Sequence, residues 1–259
     1  MMKKNLLLIL MCFVCGLVYA HDGLNFRNLD VKSGISDNYV RSVLRDRYGF
    51  MWFATLNGLN RYDGYQFKKY TTTQLGAYNN DIESIAEDAA GNIWIKGPVS
   101  YYIYDREQDK LENKIQPILN KYGITGEVSY LTVDKDYNLW CTVMDTLFHY
   151  DFTKNKLHTF QLPGKEKMQQ VVCRRSCAYL LFSNGEIARI DSNFQQIRPE
   201  TRRTLSSGLQ YNLYIDTVDR LWFYASHASG LQCYDTNQKQ WIDYIGGQEL
   251  TDALITAVM

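Results

Sequence analysis

The chain has 259 residues, 46% of them hydrophobic and 22% charged, and this ordinary globular composition excludes a disordered chain, a collagen-like chain and a membrane protein with several spans. Its 28 basic and 28 acidic residues balance, so the basic footprint of a nucleic-acid binder is missing and we expect no nucleic acid contact. Aromatic residues make up 14% and only four residues are proline, which favours strands over helices.

The first twenty residues have the pattern of a secretory signal peptide. The basic pair Lys3–Lys4 precedes an apolar run, Leu6–Val18, and the pattern of a cleavage point follows at Ala20. The run is short for a bilayer crossing. A lipoprotein signal through Cys15 is less favoured, because the bulky Val14 precedes it. We therefore expect a signal peptide over 1–20 and an exported chain over 21–259.

A phrase built from aspartate, a turn glycine and tryptophan recurs along the mature chain. Its best copy runs over 46–55, and the tryptophans of four copies are in register at Trp52, Trp94, Trp140 and Trp222. Their spacings are 42, 46 and 82 residues, and the last is two periods of 41. A repeat of this length indicates an array of similar supersecondary units.

The double spacing predicts a degenerate copy between the third and the last clear one. In the first three copies, eleven residues separate the tryptophan from a closing aspartate. Counting back eleven residues from Asp191 places Leu180 in the position of the missing tryptophan. Two other copies depart from the pattern, because Tyr137 and Asp219 stand where the turn glycine is expected.

Each repeat predicts four short strands joined by tight turns. An aspartate that caps backbone amides and a glycine that tolerates positive φ suit a hairpin turn. A tryptophan just after that turn is well placed to pack between adjacent sheets. The sequence therefore predicts an all-β fold, a β-propeller of four-stranded blades with an incomplete ring. We expect blades near 34–70, 79–111, 126–157, 170–195 and 208–243, and a sixth blade begun at 250 and truncated.

Four cysteines remain once the signal peptide is removed. They lack a C-x-x-C pair and a nearby histidine, so we expect no zinc site. A disulfide bond among them is one alternative in an oxidising compartment, but free thiols buried in strands are the favoured interpretation. These residues are Cys141, Cys173, Cys177 and Cys233.

The sequence shows no catalytic motif. The histidines form no close ligand pair, and no nucleophile elbow, phosphate loop or dinucleotide-binding turn occurs. The recurring aspartates could suggest the paired carboxylates of a glycosidase, but a repeat distributes them one per blade and a turn role is favoured. We expect no catalytic residue, no metal and no cofactor. A quinone-dependent dehydrogenase propeller is disfavoured, because in that class the turn between glycine and tryptophan is longer. The residues concerned are His21, His149, His158, His227, Asp46, Asp88, Asp134 and Asp216.

Ligand-binding residues are not identified by the sequence. Sugar recognition uses exposed aromatic faces together with polar side chains that fix hydroxyl groups. Five residues have suitable chemistry, but strand packing or ion pairing accounts for each at least as well. They are Tyr101, Tyr102, Trp241, Asn57 and Arg61.

The first repeat carries a specific family resemblance. The phrases over 34–40, 46–55 and 57–64, with Phe67, closely resemble the two-component regulator propeller repeat. The resemblance extends over 24–259. A signal peptide followed by this repeat resembles the amino-terminal part of the periplasmic sensor of a hybrid two-component histidine kinase from Bacteroidetes.

The resemblance implies a particular architecture and function. In that family, two seven-bladed propellers precede a β-sandwich, a membrane helix and cytoplasmic kinase, receiver and DNA-binding modules. The sensor detects oligosaccharides from complex glycans. The implied partners are therefore an oligosaccharide, the remainder of the sensor's own chain and a second copy in a homodimer. These residues include no kinase, so the chain itself is not expected to be an enzyme.

Two alternatives remain open. One is a secreted propeller hydrolase that acts on glycans. The other is a truncated sensor fragment with no function of its own, because the chain stops at Met259 inside a predicted blade and leaves an unpaired strand edge.

Overall fold

The computed structural model describes residues 26–164, 166–174, 177–191, 193, 196–202, 211–225, 228–229, 231–242 and 254–255. The predicted signal peptide and all of the predicted sixth blade except 254–255 lie outside these residues. In this part of the chain, no helix combines the length and apolar character needed to cross a bilayer.

Five four-stranded antiparallel sheets follow one another along the chain, and the strands of each sheet pair in chain order. We number these sheets blades 1 to 5. The predicted all-β fold with propeller blades is confirmed, and the described residues do not form a closed ring. The first strands of successive blades lie in contact, which forms the inner wall of a propeller.

The strands of blades 1 to 3 are β1 (Val40–Arg45), β2 (Met51–Thr55), β3 (Gly58–Tyr62), β4 (Phe67–Tyr70), β5 (Ser84–Glu87), β6 (Ile93–Lys96), β7 (Tyr101–Asp105), β8 (Lys110–Glu112), β9 (Val128–Val133), β10 (Leu139–Val143), β11 (Thr146–Asp151) and β12 (Lys156–Gln161). Those of blades 4 and 5 are β13 (Met168–Arg174), β14 (Cys177–Phe182), β15 (Glu186–Ile190), β16 (Ile197–Arg202), β17 (Tyr211–Ile215), β18 (Arg220–Ala225), β20 (Leu231–Asp235) and β21 (Gln240–Ile242). A separate two-stranded sheet joins β19 (Ala228–Ser229) to β22 (Leu254–Ile255).

Blade 4 extends beyond its expected boundary at 195, because its last strand lies at Ile197–Arg202. One α-helix that the repeat did not predict, α1 (Gln116–Lys121), lies between blades 2 and 3 and buries Leu119. Short 3₁₀ turns at Val31–Ser33 and Thr73–Leu75 complete the described helical elements.

The first turns of blades 1, 2, 3 and 5 have the chemistry that the repeat predicts. In blade 1, the Asp46 carboxylate accepts the backbone N–H groups of Tyr48 and Phe50, and Gly49 adopts a φ of 89°. Tyr137 and Asp219 take the same left-handed conformation, with φ of 63° and 66°. A non-glycine residue is strained at such angles, so the turn is kept in these two blades at an energetic cost.

Three of the four motif tryptophans pack between neighbouring blades as predicted. Trp52 is fully buried in a cluster with blade 2, which includes Ile85 and Ile95. Trp94 packs likewise against blade 3, and Trp140 packs against blade 4. Burial of such rings contributes strongly to the core and fixes how each blade sits on the next.

The assignment of Leu180 to the tryptophan position is wrong by one residue. Trp140 pairs across the sheet with His149, two residues before the closing Asp151, whereas the equivalent Arg189 pairs with Tyr179. Tyr179 packs towards blade 5, as a motif tryptophan would, and Leu180 packs towards blade 3. The count failed because the second turn of blade 4 is longer by one residue.

The four cysteines of the described residues are free thiols. Cys173 packs in the core between blades 3 and 4, whereas Cys177 packs in the core between blades 4 and 5. Burial raises the pKa of Cys141 to about 12 and also raises that of Cys173. These thiols therefore behave as small apolar groups.

Candidate functional site

The repeated aspartates hold the first turn of their own blade. Each accepts the indole N–H of the tryptophan six residues later at 2.8 or 2.9 Å, and the backbone N–H four residues later at 2.9 or 3.0 Å. This geometry supports the turn role over a shared catalytic role. The pairs are Asp46 with Trp52, Asp88 with Trp94, Asp134 with Trp140 and Asp216 with Trp222.

In three blades a second side-chain donor reaches the Oδ2 atom of this aspartate. Two of these donors are guanidinium nitrogens and one is an amide nitrogen. A hydrogen bond to an ionised carboxylate stabilises that carboxylate when it is buried away from water. The pairs are Arg106 Nη1 with Asp46 at 3.1 Å, Arg220 Nε with Asp216 at 2.7 Å and Asn92 Nδ2 with Asp88 at 2.7 Å.

Asp134 of blade 3 differs from these three aspartates. Its side chain is 6% exposed, and the nearest described titratable nitrogen, His149 Nε2, lies 3.8 Å from Oδ2. That distance is too long for a hydrogen bond. Burial raises the pKa of Asp134, whereas hydrogen bonds that include those from Arg220 lower the pKa of Asp216 despite burial.

We call the space between two neighbouring blades, at the end that carries their first and third turns, a junction. Junction 1–2 is filled by charged side chains. Arg106 of blade 2 spans Asp46 and Glu87 at 3.1 and 3.0 Å, and its guanidinium lies 4.6 Å from the Tyr48 ring centre. Arg47 bonds Glu87 at 2.8 Å.

Junction 3–4 contains an open cavity of about 450 Å³ instead. Its volume lies within the range of small-molecule pockets in proteins, about 300–1,000 Å³. Among the described residues, the blade 3 side of the cavity contains three carboxylates, two lysines, a histidine and the motif tryptophan, while those of blade 4 have small side chains. The lining residues are Asp134, Lys135, Asp136, Tyr137, Asn138, Trp140, His149, Asp151, Thr153, Lys154, Cys173, Cys177 and Ala178.

Two of the described residues of blade 4 at this cavity have short side chains. In blade 2, Glu87 and Ile93 are paired at the start of the first hairpin and face blade 1. In blade 4 the paired residues at that place are Cys173 and Ala178, which face blade 3. A thiol and a methyl group therefore stand where blade 2 has a carboxylate and an isoleucine.

Buried polar groups line the floor of this cavity. The His149 ring stacks on Trp140 with centres 4.0 Å apart, and the His158 ring lies 5.7 Å beyond it. Burial lowers the pKa of His149 to about 4, so the ring is neutral near pH 7. Burial alone would raise the pKa of Asp151, but hydrogen bonds from Lys154 lower it. Lys154 Nζ lies 3.0 Å from that carboxylate.

A second polar cluster, centred on Asp109, joins blade 1 to blade 2 through side-chain hydrogen bonds. Asp109 accepts Arg61 at 3.0 Å, Tyr70 at 2.6 Å and Tyr104 at 2.5 Å, and it also pairs with Lys68. Burial acts to raise the pKa of Asp109, but these donors lower it well below its usual range. The sequence pattern did not identify this residue, because it lies in a third turn outside the repeated phrase.

The structure distributes the five candidate sugar-binding residues over blades 1, 2 and 5. Tyr102 and Trp241 pack in apolar clusters between blades. The Tyr101 hydroxyl accepts a backbone N–H of blade 3 at 2.9 Å. Arg61 belongs to the Asp109 cluster, and Asn57 lies in the second turn of blade 1. The sequence missed the cavity in junction 3–4, whose only signal was the degenerate motif of blade 4.

The fold and the turn motif define the class of protein: a propeller of four-stranded blades with no paired catalytic carboxylates among its motif aspartates. More specifically, the two component regulator propeller family matches residues 34–57, which cover β1, β2 and the turn between them. No curated protein matches the chain in sequence.

Solved structures of Bacteroides proteins share this fold. The extracellular domain of BT3049 of B. thetaiotaomicron, designated a hybrid two component system, is 21% identical with a TM-score of 0.58 over 84% of this chain and 31% of that one. The corresponding domain of BT4673 is 19% identical with a TM-score of 0.59, over 92% of this chain and 33% of that one. The chain thus spans about a third of these domains.

Proposed function

We propose that this chain is an extracytoplasmic ligand-sensing propeller of a hybrid two-component system. The observation that carries the proposal is the regulator propeller motif over 34–57, within a fold similar to the extracellular domains of such systems. The motif aspartates support a role without catalysis, because each is bonded within the hairpin of its own blade.

The ligand that we propose is an oligosaccharide derived from a glycan. Calorimetric titration of the chain with a broad panel of such oligosaccharides, and with their constituent monosaccharides as controls, tests this ligand class. We expect at least one oligosaccharide to bind more tightly than its monosaccharides. A panel without any binding, for a chain that melts cooperatively, would make the ligand class wrong.

Signalling in this proposal passes to a histidine kinase in the remainder of the same chain, anchored in the inner membrane, and a homodimer is the proposed signalling unit. Sequencing the gene beyond codon 259 tests the kinase, and we expect further blades, a membrane helix and a kinase. A stop codon directly after Met259 would contradict this part of the proposal and leave ligand binding to be judged separately. Sedimentation of the full ectodomain with and without ligand tests dimer formation.

Export is the remaining part of the proposal. We expect the signal peptide over 1–20 to direct the chain to the periplasm and to be removed. Cell fractionation of the full chain and of a variant that lacks residues 2–20 provides the test. Equal periplasmic amounts of the two chains would be inconsistent with a signal peptide.

A further inference from the structure

A further cavity lies between blades 2 and 3, at the end of the blades opposite the junctions. It measures about 510 Å³, which is within the range of small-molecule pockets, about 300–1,000 Å³. Its lining comes from the second turn of blade 2, the segment that leads into α1 and the start of β9. The chain is described without a gap over 97–128, so each of these three segments is described in full.

The connections between blades differ at this end. After blade 1, Asn80 Nδ2 in the connection lies 3.5 Å from Asn57 Oδ1 in the second turn of that blade. After blade 2, the connection contains α1, and its residues Leu119 and Ile124 pack in the core between blades 2 and 3. The cavity lies between this connection and the second turn of blade 2.

Tyr101 gives the cavity an aromatic side chain that is fixed in position. Its hydroxyl accepts the backbone N–H of Leu131 at 2.9 Å, and its ring packs against the core between blades 2 and 3. A side chain that is already immobilised loses little further entropy when a ligand binds to it. Val99, which is 89% exposed in the second turn, and Pro117 add apolar surface to the lining.

Gln116 gives the cavity a fixed hydrogen-bond acceptor. Its Nε2 donates to Asn120 Oδ1 at 2.7 Å and to the carbonyl of Ile124 at 2.9 Å. A backbone carbonyl can only accept, so the nitrogen faces Ile124 and both N–H groups of the amide are used. The Oε1 atom has no partner among the described residues and remains as an acceptor suited to a hydroxyl group. Ser100 and Asn113 add a hydroxyl and a neutral amide to the lining.

We propose that this cavity binds an uncharged sugar unit of the oligosaccharide, with Tyr101 against an apolar face of the sugar and Gln116 Oε1 accepting a sugar hydroxyl. An aromatic side chain beside a few placed polar groups is the arrangement that sugar recognition uses. The charged residues of the described lining are Lys114 and Glu127, whose formal charges cancel, so the lining favours an uncharged unit over an acidic one. The inference rests on the proposed oligosaccharide sensing and gives it a location.

Calorimetric titration of the full chain with neutral and acidic oligosaccharides of equal length tests the class of sugar. We expect the tightest binding from a neutral oligosaccharide. Tightest binding by an acidic one would overturn the assignment of an uncharged unit. Absence of binding by every oligosaccharide, for a chain that melts cooperatively, would overturn the proposed ligand class and this inference together.

Two variants locate the site. Tyr101→Leu removes the aromatic ring but keeps an apolar side chain, and Ser100→Trp adds a large ring at an exposed residue of the lining. Each should weaken binding of the tightest oligosaccharide by about tenfold or more. Val218→Trp is the control, because it adds the same ring at a 55% exposed residue in the first turn of blade 5 and should leave the affinity unchanged.

The failure of the site can be distinguished from the failure of the ligand class. Unchanged oligosaccharide binding by Ser100→Trp would place the ligand elsewhere and refute the site, while the ligand class would stand. An equal loss of affinity in Val218→Trp would also refute the location. Should Tyr101→Leu not melt cooperatively, Ser100→Trp decides alone, because Ser100 lies exposed in a turn.

Discussion

Junctions 1–2 and 3–4 lie at the same place in the repeat but differ in what occupies them. In the first, Arg106 and Glu87 of blade 2 form ion pairs with Asp46 and Arg47 of blade 1. In the second, the aspartate and the tryptophan of the motif remain, the described facing residues of blade 4 are small, and the junction contains a cavity of about 450 Å³.

The difference separates two roles within one repeat. The bond from the tryptophan to the aspartate and the backbone bonds of the turn occur in both junctions, because they fold each blade. The side chains across the junction lie outside that turn and differ between the two junctions. A repeat protein can therefore alter one junction without changing the blades on either side.

The largest effect that we expect in this comparison comes from Trp52, which is fully buried between blades 1 and 2. Trp52→Ala should lower the free energy of unfolding by about 3–5 kcal/mol, because it leaves a cavity and removes the indole hydrogen bond to Asp46. Urea denaturation measures the change, with Tyr65→Ala, at an 89% exposed residue, as the control. A loss below about 1 kcal/mol would contradict the packing role of the tryptophan.

Arg106→Ala should have the next largest effect. The side chains of Asp46 and Glu87 are 0% and 5% exposed, so removal of the shared cation leaves two buried carboxylates without it. We expect a loss of about 3 kcal/mol in urea denaturation. Lys154→Ala is the matched change in junction 3–4 and should cost under about 1 kcal/mol, since Lys154 is 68% exposed. Similar losses in the two variants would remove the contrast between the junctions.

The pH dependence of stability should report on His149. Burial lowers its pKa to about 4 in the folded chain, against about 6.5 when unfolded. Between these values the unfolded chain binds more protons, so the free energy of unfolding should fall as pH drops through this window, by up to about 3 kcal/mol.

His149→Phe should flatten this pH dependence. Denaturant midpoints of both chains between pH 7.5 and 4 provide the measurement, with pH 7.5 as the check that the variant folds. The two profiles should diverge between about pH 6.5 and pH 4, where His149 titrates. Parallel pH profiles would show that this ring does not supply the dependence.

The smallest effect concerns the first turns. Tyr137→Gly should raise the free energy of unfolding by about 0.5 kcal/mol, because glycine relieves a φ of 63° but loses more chain entropy. Gly49→Ala should lower it by about 1 kcal/mol from φ alone, since no heavy atom lies within 4 Å of the added Cβ. Thermal melts of both variants test the pair, and a stabilising Gly49 change would contradict this account.

The sequence predicted the blades well and the site poorly. The turn and the tryptophan act within one hairpin, so a local phrase was sufficient to identify them. Leu180 was misassigned because the count assumed a second turn of constant length, whereas the strand pairing puts Tyr179 at that position. Asp109 and α1 were missed because neither belongs to the repeated phrase.

By itself, the sequence determined an all-β chain of repeated four-stranded blades. Aspartate and glycine at fixed spacing form the hairpin turn, and the tryptophan that follows packs between blades. The tertiary structure decided what lies between the blades. Cys173 and Ala178 are separated from Asp134 by about one repeat, so no local pattern shows that they face it. Whether a junction is filled or open depends on volumes and charges that two blades contribute together, and these become visible only when the blades are packed.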